Sequence, residues 1–111
     1  MHRMDPDERP AARRRGPRRQ RRHLNRLARA LRRRGWRVER RFGTHPPLLH
    51  VYASEAPSVG ESVLVAGGPT APWFRSSTGA YLAPCSDPAR AIEAVTELLT
   101  PWVAAALTPA R

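Results

Sequence analysis

Apolar residues recur at helical spacing in one segment near each end of the chain. The first set stands at positions i, i+3, i+4 and i+7 of its segment: Leu24, Leu27, Ala28 and Leu31. This spacing puts the four side chains on one face and predicts a helix over about residues 18–34. Gly35 follows, and glycine most readily adopts the conformation required just after a helix. We therefore expect the first helix to end there.

A second helix is predicted after Asp87, whose side chain can cap the first turn, and Pro88, which suits the first helical position. Apolar residues follow at near-helical spacing: Ile92, Val95, Leu99, Trp102 and Val103. Pro101 lies inside this segment, and a proline removes one helical hydrogen bond. The sequence therefore predicts either a kink at Pro101 or two consecutive helices.

Between the helices the pattern changes to short segments typical of strands. These segments are residues 36–40, 48–53, 61–66, 72–77 and 81–82, separated by stretches that contain glycine or proline. The connections are too short for parallel crossovers. Each helix has one apolar face, which must cover a sheet. The sequence therefore predicts an α+β fold: an antiparallel meander of four to five strands, with the N-terminal and C-terminal helices packed on one face.

The chain has the length of one domain, at 111 residues. Residues 1–17 are interrupted by proline and glycine and contain little to bury, so they predict a disordered, Arg/Pro-rich arm. We expect a single α+β domain over residues 18–107 and a frayed tail at residues 108–111.

Charge is distributed very unevenly along the chain. The formal net charge is +11; residues 1–41 hold 17 arginines and four acidic residues, and residues 42–111 hold three arginines and five acidic residues. All 20 cations are arginine, and Ala, Arg, Pro and Gly together supply 56 of the 111 residues. A GC-rich genome accounts for arginine in place of lysine, but it does not account for the clustering at one end.

The arginine-rich segment is a candidate site for nucleic acid or another anion. Its members are Arg13, Arg14, Arg15, Arg18, Arg19, Arg21, Arg22 and Arg26. Clustered arginines are the electrostatic footprint of proteins that bind phosphate backbones, and the arm could become ordered on its partner. Two alternatives stay open: a solvated surface that keeps the domain soluble, and docking onto an acidic protein.

An aromatic cluster, Trp73, Phe74 and Tyr81, is the candidate site for a protein partner. Strand alternation places Trp73 and Phe74 on opposite faces, so one of them belongs to the core. An exposed aromatic on the other face is typical of an interface, although core packing alone also explains the cluster.

Catalytic motifs are not found in the sequence. Cys85 precedes a helix N-terminus, where a thiolate is stabilised, but no base is near it in sequence and a small buried cysteine is the commoner case. His45 and His50 lack other ligands at zinc spacing. We therefore expect no enzymatic activity, no metal and no cofactor.

The address expected from the sequence is the cytoplasm. No apolar run approaches the roughly 20 residues of a membrane helix, and Arg26 and Arg29 interrupt the apolar stretch where a signal peptide would have its core. Cys85 is the single cysteine, so no disulfide framework is indicated.

Residues 72–89 combine an aromatic strand, a glycine turn and the motif Pro84-Cys85-Ser86-Asp87-Pro88 before a final helix. This combination resembles small actinobacterial proteins of unknown function, over about residues 20–100. The resemblance implies an actinobacterial origin and strands between two helices, and it implies no activity. Such proteins are believed to be encoded beside regulators. The layout is also similar to secretion-chaperone-like folds, which dimerise and bind partner segments.

Two functions from different classes follow from these observations. The first is a non-catalytic protein-interaction module, dimeric and regulatory, that binds an unknown protein or a second copy through its sheet. The alternative is nucleic-acid binding through the arginine-rich arm and first helix. An enzyme that uses Cys85 is a weaker third hypothesis.

Overall fold

The computed structural model describes residues 10–67 and 70–109, and for residues 10–15 the backbone alone. Its elements are α1 (Pro10–Arg33), β1 (Arg37–Arg41), β2 (Leu48–Ala53), β3 (Ala56–Gly67), β4 (Pro72–Ser76), β5 (Tyr81–Pro84) and α2 (Pro88–Leu107). The strands form one sheet in the order β1-β2-β3-β4-β5, and every neighbouring pair is antiparallel. The prediction of an α+β fold with an antiparallel meander is confirmed.

Both helices lie on one face of this sheet. α1 packs on β1, β2 and β3, α2 packs on β3 and β5, and the helices contact each other. The sheet side chains buried beneath them are Val38, Leu49, Val51, Val63, Val65, Phe74 and Ala83. The helices contribute Leu24, Leu27, Ala28, Leu31, Ala91, Ile92, Val95 and Leu99. The predicted apolar face of the first helix is therefore the face that packs on the sheet.

The C-terminal end of α1 follows from its sequence as expected. Gly35 has φ +94°, which favours glycine, and its N–H donates to the carbonyl of Arg32 at 3.0 Å. The N–H of Trp36 donates to the carbonyl of Leu31 at 3.1 Å, and together the two bonds form the motif that satisfies the last carbonyls of a helix. This end directs the chain straight into β1.

The start of α1 differs from the prediction. The helix is described from Pro10 and not from near residue 18, and residues 1–9 lie outside the described part. The disordered arm expected over residues 1–17 stays a prediction. Proline is tolerated at the first position of a helix, and arginine and alanine are good helix formers. Gly16 and Pro17 lie inside this helix, which continues on both sides of them.

The second helix also continues past a proline. Asp87 caps it, because its carboxylate accepts a hydrogen bond from the N–H of Arg90 at 3.1 Å. Helical structure then runs through Pro101 to Leu107, so the alternative of two separate helices is wrong. Of the predicted tail, residues 108 and 109 follow the helix, and residues 110–111 lie outside the described part.

The largest difference in the sheet concerns β3. Residues 55–60 were expected to form a loop, but β3 starts at Ala56 after a two-residue turn. Pro57 is tolerated because β4 pairs only with residues 63–67 of β3, so its missing N–H costs no ladder bond on that side. Gly60 is required by space: a Cβ there would stand 2.8 Å from the carbonyl oxygen of Val51 and 2.9 Å from the His50 ring.

Candidate functional site

The outward side of α1 is an uninterrupted surface of arginine side chains. We call it the arginine face, and its members are Arg18, Arg19, Arg22, Arg26, Arg29 and Arg33, all exposed. They point away from the sheet because helical periodicity puts them opposite the buried stripe of Leu24, Leu27, Ala28 and Leu31. Over residues 18–33 the arginine face extends about 22 Å along the helix.

No carboxylate neutralises this surface from within the helix. α1 contains no Asp or Glu. Across residues 10–67 and 70–109, the one ion pair joins Arg41 and Glu39 at 3.1 Å, and none involves α1. From Arg19 to Arg33, successive members of the arginine face stand three or four residues apart, a spacing at which like charges destabilise a helix. The surface therefore holds concentrated positive charge that no carboxylate of residues 10–67 and 70–109 pairs with.

His23 lies beside the arginine face, and the positive charge there affects its pKa. Burial, and then the guanidinium groups of Arg26, Arg22 and Arg19, hold the pKa of His23 below its ordinary value of 6.5. The Nδ1 atom of His23 is buried and has no hydrogen-bond partner among the described residues. The ring is therefore neutral at neutral pH, because a further positive charge is disfavoured there.

Two grooves flank the N-terminal part of α1. The larger, of about 890 Å³, lies between residues 16–21 and the loop at residues 45–47, and Arg18, Arg21 and His45 line it. The other, of about 420 Å³, includes Arg19 and His23 opposite residues 65–67 and 70–72. Arg21 thus points toward the first groove and is separated from the arginine face.

Positive charge continues from α1 onto the neighbouring edge strand β1. Arg40 lies on the helix side, where its Nε donates to Oδ1 of Asn25 on α1 at 2.6 Å. Arg32 of α1 donates to the carbonyl of Val38 at 2.9 Å. Arg37 and Arg41 alternate along β1 with Val38 and Arg40, and they therefore lie on the opposite side of the sheet. The edge of β1 therefore carries cations on both of its sides.

The sheet face opposite the helices, which we call the open face, is both aromatic and cationic. Register and alternation place these side chains there: Arg37, Glu39, Arg41, Leu48, His50, Tyr52, Ser62, Leu64, Ala66, Trp73, Arg75 and Tyr81. Trp73 and Tyr81 meet edge to face with ring centroids 6.0 Å apart, and Tyr81 is 57% exposed. The Nε atom of Arg75 is buried without a hydrogen-bond partner in the described structure.

The structure places the candidate residues on different surfaces. Trp73 and Tyr81 meet on the open face, whereas Phe74 is fully buried beneath the helices and cannot contact a partner. The side chains of Arg13, Arg14 and Arg15 lie outside the described part of the chain.

Some residues of these surfaces were missed as site residues. Helical periodicity carried further would have included Arg29 and Arg33 in the arginine face. Arg75 could not be found in this way. Its place beside Tyr81 depends on strand register, which only the pairing of β4 with β5 determines.

Cys85 has the properties of a core residue. Its side chain is buried, and burial raises the pKa of the thiol to about 11, against a weaker opposing effect of Arg26. A nucleophilic cysteine requires the opposite shift, because the thiolate is the reactive form. The geometry therefore gives no support to an enzyme built on Cys85.

Nowhere in residues 10–67 and 70–109 do three His, Cys, Asp or Glu side chains come together in a way that could hold a metal ion. Within the same ranges, neither helix is both long and apolar enough to cross a membrane.

Comparisons with known proteins give no relative. No protein-family model, no curated protein and no solved structure matches the chain. The resemblance of residues 72–89 to small actinobacterial proteins stays a prediction, and the candidate sites depend on the geometry of this chain alone.

Proposed function

We propose that the protein is a non-catalytic binding module that holds a nucleic acid on the arginine face of α1. The observation that carries the proposal is a row of exposed arginines about 22 Å long on a helix without a carboxylate. Neutralising a phosphate backbone releases condensed counterions, and this release supplies most of the affinity of such surfaces.

Arginine is well suited to this ligand. Its planar guanidinium group donates two parallel hydrogen bonds to a phosphate, which a lysine ammonium cannot do. The two grooves beside residues 16–23 add Arg21 and His45 to the same end of the helix. A merely solvated surface does not require so many like charges at spacings that weaken the helix.

The test is the salt dependence of binding. The full chain is titrated onto a short fluorescein-labelled oligonucleotide, and fluorescence anisotropy is recorded between about 50 and 200 mM salt. We expect the logarithm of the association constant to fall linearly with the logarithm of salt concentration, by about 0.7–0.9 for each contacted phosphate. Absence of binding at the lowest salt concentration would refute the proposal.

A protein partner is the second candidate, and two surfaces favour it. The end of α2 is unusually apolar, with Trp102 66% and Leu107 53% exposed and no charged residue at positions 98–109. Trp73 and Tyr81, two of the three residues expected to bind a partner, meet on the open face. Such a partner, including a second copy, would be captured in the presence of nuclease and lost when Trp102 and Leu107 are changed to Ser.

A further inference from the structure

The open face combines aromatic rings with cations and contains little negative charge. Its arginines are Arg37, Arg41 and Arg75, and its acid is Glu39, whose carboxylate pairs with Nη2 of Arg41 at 3.1 Å, so three positive charges stand against one negative charge. The aromatic side chains form two pairs. Trp73 contacts Tyr81, and the rings of His50 and Tyr52 have their centroids 5.6 Å apart.

Strand register arranges these groups in a defined order across the sheet. One row runs through all five strands and consists of Arg41, Leu48, Leu64, Arg75 and Tyr81. Trp73 lies on the same face of β4, two residues before Arg75. The distance from β1 to β4 is about 14 Å, from three strand spacings. Cations therefore stand at the first and fourth positions of the row, and the ring of Tyr81 stands at its far end, next to Arg75.

We infer that the open face binds a single strand of nucleic acid, with bases stacked on Trp73 and Tyr81 and the backbone held by Arg75 and Arg41. Aromatic side chains on a sheet accept unpaired bases of any sequence, because every base has a π-face. The bases of a duplex are not available for such stacking. This inference deepens the proposed function and rests on it.

Charge continuity argues for this occupant. The arginine face and the open face lie on opposite sides of the sheet, but the exposed arginines of β1 join them around the edge. A single strand of nucleic acid that is held by α1 can therefore cross β1 and stay close to positively charged side chains along its path.

The same charges argue against a second copy on this face. In a two-fold dimer the same patch faces itself, so Arg37, Arg41 and Arg75 would oppose the identical arginines of the other copy. Like charges brought together in an interface disfavour the complex. A polyanion has the complementary charge.

The test uses the full chain and labelled oligouridine, with a duplex of equal length as the comparison ligand. We expect Trp73→Ala to weaken oligouridine binding about 5- to 100-fold, since stacking on one aromatic is of that strength. Duplex binding should change less than about twofold, because α1 makes those contacts. Trp102→Ala is the matched control, since it removes an equally large exposed ring outside the open face, and it should leave both affinities unchanged.

A second variant guards against a loss of folding. Trp73→Phe retains a ring and should bind oligouridine nearly as well as the wild type. It should also lose most of the tryptophan fluorescence quenching that oligouridine causes in the wild type. Quenching of equal size in Trp73→Phe would contradict the inference.

The outcomes distinguish this inference from the proposed function. If the wild type binds neither ligand, the proposed function fails and the inference fails with it. If the wild type binds both ligands and the folded variants Trp73→Ala and Tyr81→Ala bind oligouridine equally well, the inference alone is overturned. A dimer or protein complex that Trp73→Ala dissociates, with oligouridine binding intact, also overturns it and assigns the face to a protein.

Discussion

The two helices pack on the same face of the sheet, but their outward sides differ completely. Both bury an apolar stripe, and Leu27 of α1 and Leu99 of α2 are almost completely inaccessible to solvent. Outward, α1 presents six arginines, whereas α2 presents Arg90, Glu93 and Glu97 and then an uncharged end. Because packing on the sheet requires only the inner stripes, the charge of α1 has no explanation in the fold. The comparison therefore supports the proposal that the protein binds through the outer side of α1.

Core truncation should affect the two helices alike and should have the largest effect on stability. We expect Leu27→Ala and Leu99→Ala each to lower the free energy of unfolding by about 2–5 kcal/mol, because each leaves a cavity against the sheet. Urea unfolding followed by circular dichroism measures both. A loss at Leu99 with none at Leu27 would show that α1 is not part of the packed domain, and the comparison would fail.

The N-terminal end of α2 should be stabilised by its capping residue, Asp87. Asp87→Ala removes the carboxylate that accepts the hydrogen bond from the N–H of Arg90, and we expect a loss of about 1 kcal/mol. Asp87→Asn retains an acceptor and should lose much less, which makes it the control. Equal losses in the two variants would mean that charge, and not the hydrogen bond, stabilises this end.

Removing charge from the arginine face should stabilise the protein. In the variant R19Q/R22Q/R26Q/R29Q, like-charge pairs three or four residues apart are removed, and each such pair costs about 0.2–0.5 kcal/mol. We expect the free energy of unfolding to rise by about 1 kcal/mol at low salt and by less at high salt, because salt screens exposed charges. Arg90→Gln on α2 is the control and should have almost no effect. A large destabilisation by the four substitutions would show that these arginines support the fold.

The smallest predicted effect is the pH dependence due to His23. Its folded-state pKa lies below the unfolded value of 6.5, so the unfolded chain takes up a proton first as pH falls. The contribution of this group to stability is thus complete above pH 6.5 and is lost as pH falls through the folded-state pKa. A bound polyanion should raise the pKa of His23, which proton NMR of the ring measures with and without oligonucleotide. No change in this pKa on binding would place the ligand away from the arginine face.

Much of the fold was predictable, because it depends on local patterns. The apolar spacing from Leu24 to Leu31 gave the packing face of α1, and Asp87 with Pro88 gave the start of α2. The strand at residues 48–53 has the predicted bounds. Breaker residues caused the errors. Pro17 and Pro101 interrupt a pattern but lie inside helices that continue past them, and Pro57 lies in the part of β3 that does not pair with β4.

The candidate sites were predictable only in part, for a different reason. The arginine face follows from helical periodicity and needs no tertiary information. The open face does not follow from any single segment, because its row from Arg41 to Tyr81 exists only after five strands have paired in register. Alternation indicated that Trp73 and Phe74 lie on opposite faces, but the positions of the helices decided that Phe74 is the buried one.

The most direct test of the central claim compares the salt dependence of oligonucleotide binding by the wild type and by the variant R19Q/R22Q/R26Q/R29Q. If the arginine face binds phosphates, the slope of log K against log salt should become less steep in the variant by about 3, from four contacts at 0.7–0.9 each. Arg90→Gln should retain the slope of the wild type. Equal slopes for the wild type and the four-arginine variant would contradict the account.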